Sequence, residues 1–186
     1  MGETENVKSK HHMLSGIIMG KRVNNVDLEL LKANAAKASE KEGHFDIEKQ
    51  INGDFHMNGS PMFTAELMSE NAKFIMGADE PTVLGGMGIH ATPLNYLMFG
   101  VMSCFASTVA IQAARKGITL ERLKVRGHLY YDIGPVLMDS DYPIIKAMKL
   151  EIDSDKDLQE VIKLSVKVCP ALFAIANPIK TEVVQI

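Results

Sequence analysis

The sequence predicts one α+β domain, and three observations carry that reading. A long apolar helix runs from a threonine-proline start to a glycine stop. Runs of alternating apolar and polar residues flank it on both sides. A second, amphipathic helix near the C-terminus breaks at a proline. The 186 residues suffice to bury a core without disulfides. Residues 1–43 read as an N-terminal extension with one helix, and residues 44–186 as the main domain.

Composition narrows the function classes. The chain is 46% hydrophobic and 23% charged, with a net charge of −3. That balance offers no attraction to nucleic acid or to an anionic membrane. Two cysteines do not make a disulfide scaffold, so the expected setting is a reducing, cytoplasmic one. The apolar patch Met13–Met19 is broken by Ser15 and Gly16 and does not resemble a secretory signal. Leu94–Ala114 is long enough to span a membrane. It contains Asn95, Ser103, Ser107, Thr108 and Gln112, which points instead to a helix buried in protein. The start of the chain is polar, and its His11-His12 pair reads as exposed rather than metal-binding.

The elements follow in order. A first helix is expected from Val26 to Glu42, capped by Asn24 or Asn25 and stopped by Gly43, with Leu28, Leu31 and Ala35 as its apolar stripe. Phe45, Ile47, Lys49 and Ile51 alternate with polar residues and predict a strand, closed by the turn Asn52-Gly53-Asp54. Met62–Met68 and Lys73–Met76 predict two more strands. Leu84-Gly85-Gly86-Met87-Gly88 lacks the Gly-Lys-Ser/Thr ending of a phosphate loop and reads as a flexible approach to the next helix.

That next helix is the central feature. Thr92 caps it, Pro93 stands at its first position, where a missing N–H costs nothing, and Gly117 suits a left-handed stop after Lys116. Between them it is apolar nearly all round. Such a helix must be enclosed on every side, and one small sheet cannot enclose it. The expected remedy is a second copy of the chain, a homodimer. Strands follow over Leu123–Tyr131 and Met148–Ile152. Ser154 is expected to open a helix with Leu158, Val161, Ile162, Ser165 and Val168 buried. It ends at Cys169-Pro170, where the chain must kink or restart. A short segment to Ala176, the turn Asn177-Pro178 and a strand over Lys180–Ile186 complete the chain.

Chemistry is expected at the only cysteines, Cys104 in mid-helix and Cys169 at the helix restart. Both are also natural small core residues. Free N–H groups at a helix start favour a thiolate at such a position. The sequence by itself does not make the two neighbours.

Gly85-Gly86, Ala91-Thr92-Pro93, Leu94-Asn95-Tyr96-Leu97, Gly100, Ser103-Cys104, Ala114 and Gly117-Ile118 stand in a familiar order. So do Leu123-Lys124-Val125, Cys169-Pro170 and Ala176-Asn177-Pro178. In these residues the chain resembles the OsmC/Ohr family (osmotically inducible protein C and organic hydroperoxide resistance proteins) over about residues 45–186. The resemblance implies an intertwined homodimer with long central helices wrapped by antiparallel sheets. It implies thiol-dependent reduction of organic hydroperoxides. No cofactor is expected, and no metal either, since His90 and Cys104 have no companion at metal-site spacing. Cys104 would be the peroxidatic cysteine and Cys169 the resolving one, and an external dithiol would reopen their disulfide. Met102, Phe105 and Phe99 near Cys104 would favour organic peroxides, although plain core packing explains them equally well.

One departure stands out. In the hydroperoxide-resistance branch an arginine holds the thiolate, and an acid ten residues before the cysteine holds the arginine. Here that position is Leu94, and no arginine occurs between Arg22 and Arg115. Lys49 and His90 are the candidate thiolate-stabilising residues in its place, with Arg122 and Arg126 behind them. A dimeric binder of a small apolar ligand, or a thiol-exchange protein using Cys104, is the competing expectation.

Overall fold

The structure is a computed structural model and describes residues 22–138, 141 and 143–185. Expectations for the first 21 residues and for Ile186 lie outside it. The chain is a mixed helix and antiparallel-sheet protein.

The described chain opens with a tight hairpin, β1 (Arg22–Val23) and β2 (Val26–Asp27). Asn24 and Asn25 turn it, both left-handed with φ of 52° and 63°. They therefore do not cap the helix. Asp27 does so by accepting the Leu30 N–H, and helix α1 spans Leu28–Ser39 rather than 26–42. The Asn24 carboxamide docks this hairpin. Its Nδ2 donates to the carbonyls of Ala110 and Ile118, and its Oδ1 accepts the Leu120 N–H. None of α1 is fully buried.

The expected strand over Phe45–Ile51 is absent. Pairing begins only at β3 (Gly53–Phe55), which lies against β4 (Phe63–Met68), itself paired with β5 (Lys73–Ala78). Register supplies the reason. Gly53 sits opposite Ala65 in an antiparallel pair, so residues before Gln50 run past the end of β4 and have nothing to bond. On the paired strands, Phe55, Phe63, Ala65, Leu67, Phe74 and Met76 fall on one face. A turn of 3-10 helix, Thr82–Leu84, ends at Gly85 with φ of 82°. Asp79 anchors the following loop. It is 1% exposed and accepts the Ser60 hydroxyl and the Ile89 N–H.

Helix α2 spans Pro93–Arg115 with Thr92 as its cap, and Gly117 takes φ of 74° beyond it, as expected. It is the one described helix long and apolar enough to cross a membrane, and here it is the spine of the fold. It packs against the strand Leu123–Tyr131 and the helices Gln159–Val168 and Pro170–Ala176. Val101, Phe105, Val109, Ala113 and Ala114 are buried there. Its N-terminal part is more open: Leu97 and Phe99 are 42% and 69% exposed.

β6 (Leu123–Tyr131) and β7 (Ile145–Ser154) form a second antiparallel sheet. Between them lies a short helix, α3 (Gly134–Met138), which the sequence pattern did not announce. Ser154 ends β7 instead of starting a helix. The Asp155 carboxylate is spent on the backbone N–H groups of Glu121 and Arg122, which leaves α4 to begin at Gln159 and run to Val168. Leu158, Val161 and Ser165 are buried as expected, but Val168 is half exposed at the helix end. Helix α5 (Pro170–Ala176) restarts after Cys169. No strand forms over residues 180–185. Val183 and Val184 there stay exposed and pair with no strand among the described residues.

Candidate functional site

The core of the fold converges on a sulfur pair. Phe105, Val109, Ala113, Leu158, Val161 and Cys169 form its centre, with Cys104, Ala171 and Leu172 packed against it. The α2 ladder holds Cys104 one residue before Phe105, on the side turned to α4 and α5. Cys169 is placed by its proline. Pro170 has no N–H to give, so α4 stops and Cys169 becomes the elbow between two helices. Its N–H still bonds the Ser165 carbonyl, and its own carbonyl accepts the Phe173 N–H.

The two sulfurs lie 3.6 Å apart, across 65 residues of sequence. Both are free thiols, Cys169 buried and Cys104 partly exposed. A disulfide needs about 2.05 Å, so a shift of little more than a rotamer adjustment joins them. Burial is also asymmetric. Cys104 is partly exposed as a residue, and Cys169 is fully buried.

Electrostatics at the pair run against easy ionisation. Burial pushes the Cys104 thiol above its ordinary value. The Ala171 N–H, in the first turn of α5, pulls it back down, and the neighbouring Cys169 thiol raises it again. No cation enters that balance. Lys49 lies exposed on the segment before β3, and His90 is exposed near Pro61 and Gly77. Arg122 pairs with Asp153, and Arg126 with Glu151. Within one chain the structure thus brings Cys104 to Cys169 and brings none of the four candidate cations to either.

The apolar residues near Cys104 in sequence divide between faces. Phe105 turns into the core. Met102 and Phe99 line an open groove of about 460 Å³ against Leu123 and Val125, which Cys104 does not line. Met98 and Met102 seat there on Gly127 of β6. No group of three or more His, Cys, Asp or Glu able to hold a metal occurs among the described residues.

Sequence reasoning missed the Ala171 N–H, a backbone group with no side-chain signature. It also missed Asp79, whose only signal was an acid just before a glycine-rich loop.

The family model described as OsmC-like protein matches residues 86–184, which include both cysteines. No curated protein matches the sequence. Among solved structures, an organic hydroperoxide resistance protein OsmC from Legionella pneumophila is similar, with 18% identity and a TM-score of 0.53. It covers 70% of this chain and 91% of its own. An OsmC-like protein from Mycoplasma pneumoniae is 22% identical with a TM-score of 0.52, over 71% of this chain and 89% of its own. At such identities the likeness concerns the fold, with its long helix and flanking antiparallel sheets. Fold likeness and family match agree, and this chain belongs to the family of OsmC-like proteins.

Proposed function

We propose that the protein is a thiol-dependent peroxidase that reduces organic hydroperoxides through its cysteine pair. The observation that carries this reading is the 3.6 Å separation of the Cys104 and Cys169 sulfurs, with Cys104 the less buried residue. The Cys104 thiolate attacks one oxygen of the peroxide bond, and the alcohol leaves after taking a proton. Cys104 is then a sulfenic acid. The Cys169 thiol displaces its hydroxyl as water and closes the disulfide. A dithiol from outside the protein restores both thiols by exchange. Cys169 lies close enough to intercept the sulfenic acid before further oxidation.

The working unit in this reading is a homodimer in the cytoplasm. The apolar face of the β3–β5 sheet supports the dimer, with Phe55 and Phe74 55% and 56% exposed. So does the open N-terminal part of α2 at Leu97 and Phe99. Surfaces of this kind on a single chain mark an interface.

A second reading rests on the same 3.6 Å pair without a peroxide step. The Cys104 thiolate attacks an external disulfide and releases one of its thiols, and Cys169 then displaces the other and closes the Cys104–Cys169 disulfide. Burial, which raises the Cys104 thiol, slows attack on either oxidant. Mixing the reduced protein with excess cumene hydroperoxide separates the two. The peroxidase reading expects peroxide to disappear with a disulfide appearing, and Cys104→Ser to abolish both. Equal peroxide loss with parent and variant sinks it. Rapid exchange with a small disulfide but no peroxide loss supports the second reading.

A further inference from the structure

A cleft of about 670 Å³ lies between the loop after β5 and the far end of β6, and neither cysteine lines it. That volume suits a small organic ligand. Its walls come from separate elements. Val83 stands on the 3-10 turn, Leu94 in the first turn of α2, Ile133 after β6, Val136 on α3 and Ile144 before β7. Val83, Val136 and Ile144 are 59%, 63% and 48% exposed, so the chain itself leaves these walls uncovered.

Both sides of the cleft are held in place. Asp79, adjacent to Glu80, fixes the loop through Ser60 and Ile89. Thr92 caps α2 by accepting the Asn95 N–H at 3.3 Å. Opposite, Asp132 accepts the Gly134 N–H at 2.9 Å and the Lys146 ammonium at 2.7 Å. The walls are therefore preformed, and binding orders little.

The charges are one-sided. Two acidic residues, Glu80 and Asp132, are among those that line the cleft, and no lysine, arginine or histidine is. Lys146 neutralises Asp132. Glu80 has no ion-pair or side-chain hydrogen-bond partner among the described residues. An apolar trough with one uncompensated carboxylate attracts a cationic head and repels an anionic one.

We propose that this cleft binds a small amphiphile with an apolar body and a cationic head, an alkylammonium, with Glu80 as its counter-ion. The inference is independent of the cysteine chemistry. Calorimetric titration of the whole reduced protein with octylammonium, 1-octanol and octanoate tests it. Octylammonium is expected to bind roughly tenfold tighter than octanol at low salt, with octanoate weakest, and salt narrows the gap. Glu80→Gln should bring octylammonium down to octanol while leaving octanol unchanged, which also shows that the variant is folded. Val136→Trp should weaken all three by filling the trough. Octanoate binding as tightly as the amine, a preference that survives Glu80→Gln, or no binding by any probe would each overturn the proposal. The last result is also what a second copy seated over the cleft would give.

Discussion

The Cys169 sulfur sits 3.6 Å from that of Cys104, and the Ala171 N–H of α5 donates toward Cys104. Proximity and activation are therefore separate properties here. The chain supplies the first fully and the second only through one backbone dipole.

That separation sets the pH behaviour of Cys104. Burial holds its thiol above the ordinary value, so the thiolate fraction at neutral pH is below that of an unstructured cysteine. In a Cys169→Ser background, alkylation by iodoacetamide should rise about tenfold per pH unit through pH 8 and level off only above the usual thiol range. Labelling followed by mass spectrometry gives the profile. A rate already flat at pH 7 contradicts the single-chain electrostatics.

The elements legible in the sequence were those whose signals are local. Thr92-Pro93 and Gly117 mark both ends of α2 by the chemistry of the helix ends themselves, and α2 spans Pro93–Arg115. The alternation in 63–68 and 123–131 survives because each strand has a partner for its full length. The alternation in 45–51 is just as regular and forms no strand, because the bonding partner is a matter of register. Asn24 looked like a cap and is a clip, because its partners Ala110, Ile118 and Leu120 are some 90 residues away. Ser154 failed as a helix start for the same reason: Asp155 is taken by Glu121 and Arg122. The cysteine pair became legible only through the family resemblance, since a 65-residue gap says nothing of distance.

Gly127 makes the packing of α2 on β6 testable. A Cβ at this position would sit 2.7 Å from the Met102 sulfur and 3.2 Å from the Met98 methyl. Gly127→Ala should destabilise the fold by about 1–3 kcal/mol, the usual cost of overpacking. Because the crowding atoms end flexible side chains, Met102→Ala in the same chain should recover part of the loss. Urea unfolding of the single and double variants measures both.

Glu151 makes acid stability testable. Lys149 and then His128 hold its carboxyl down to about 2. A carboxylate with a depressed folded value stabilises the fold above the unfolded value, and that contribution disappears as pH falls toward the folded one. The window here runs from about 4.5 down to about 2. Glu151→Gln should lower stability at pH 6 and flatten its fall across that window. Parallel thermal melts at pH 6, 4 and 2.5 check the sign. Curves for parent and variant that stay parallel throughout contradict it.

Asn24 joins the N-terminal segment to the end of α2, and its two roles come apart in one substitution. Its backbone needs the left-handed region, at φ of 52°, and its carboxamide makes three hydrogen bonds in a half-buried setting. Asn24→Gly keeps the turn, because glycine enters that region without strain, but strips every bond. It should cost about 1–3 kcal/mol for the orphaned carbonyls and N–H group. Asn24→Ala loses the bonds and also strains the turn, so it should cost more. The effect should be local before it is global. In Asn24→Gly, amide exchange should speed at Leu120, whose N–H loses its acceptor, and stay unchanged in the β6–β7 ladder. If exchange at Leu120 matches the parent protein, the carboxamide is not what fastens the N-terminal hairpin to α2.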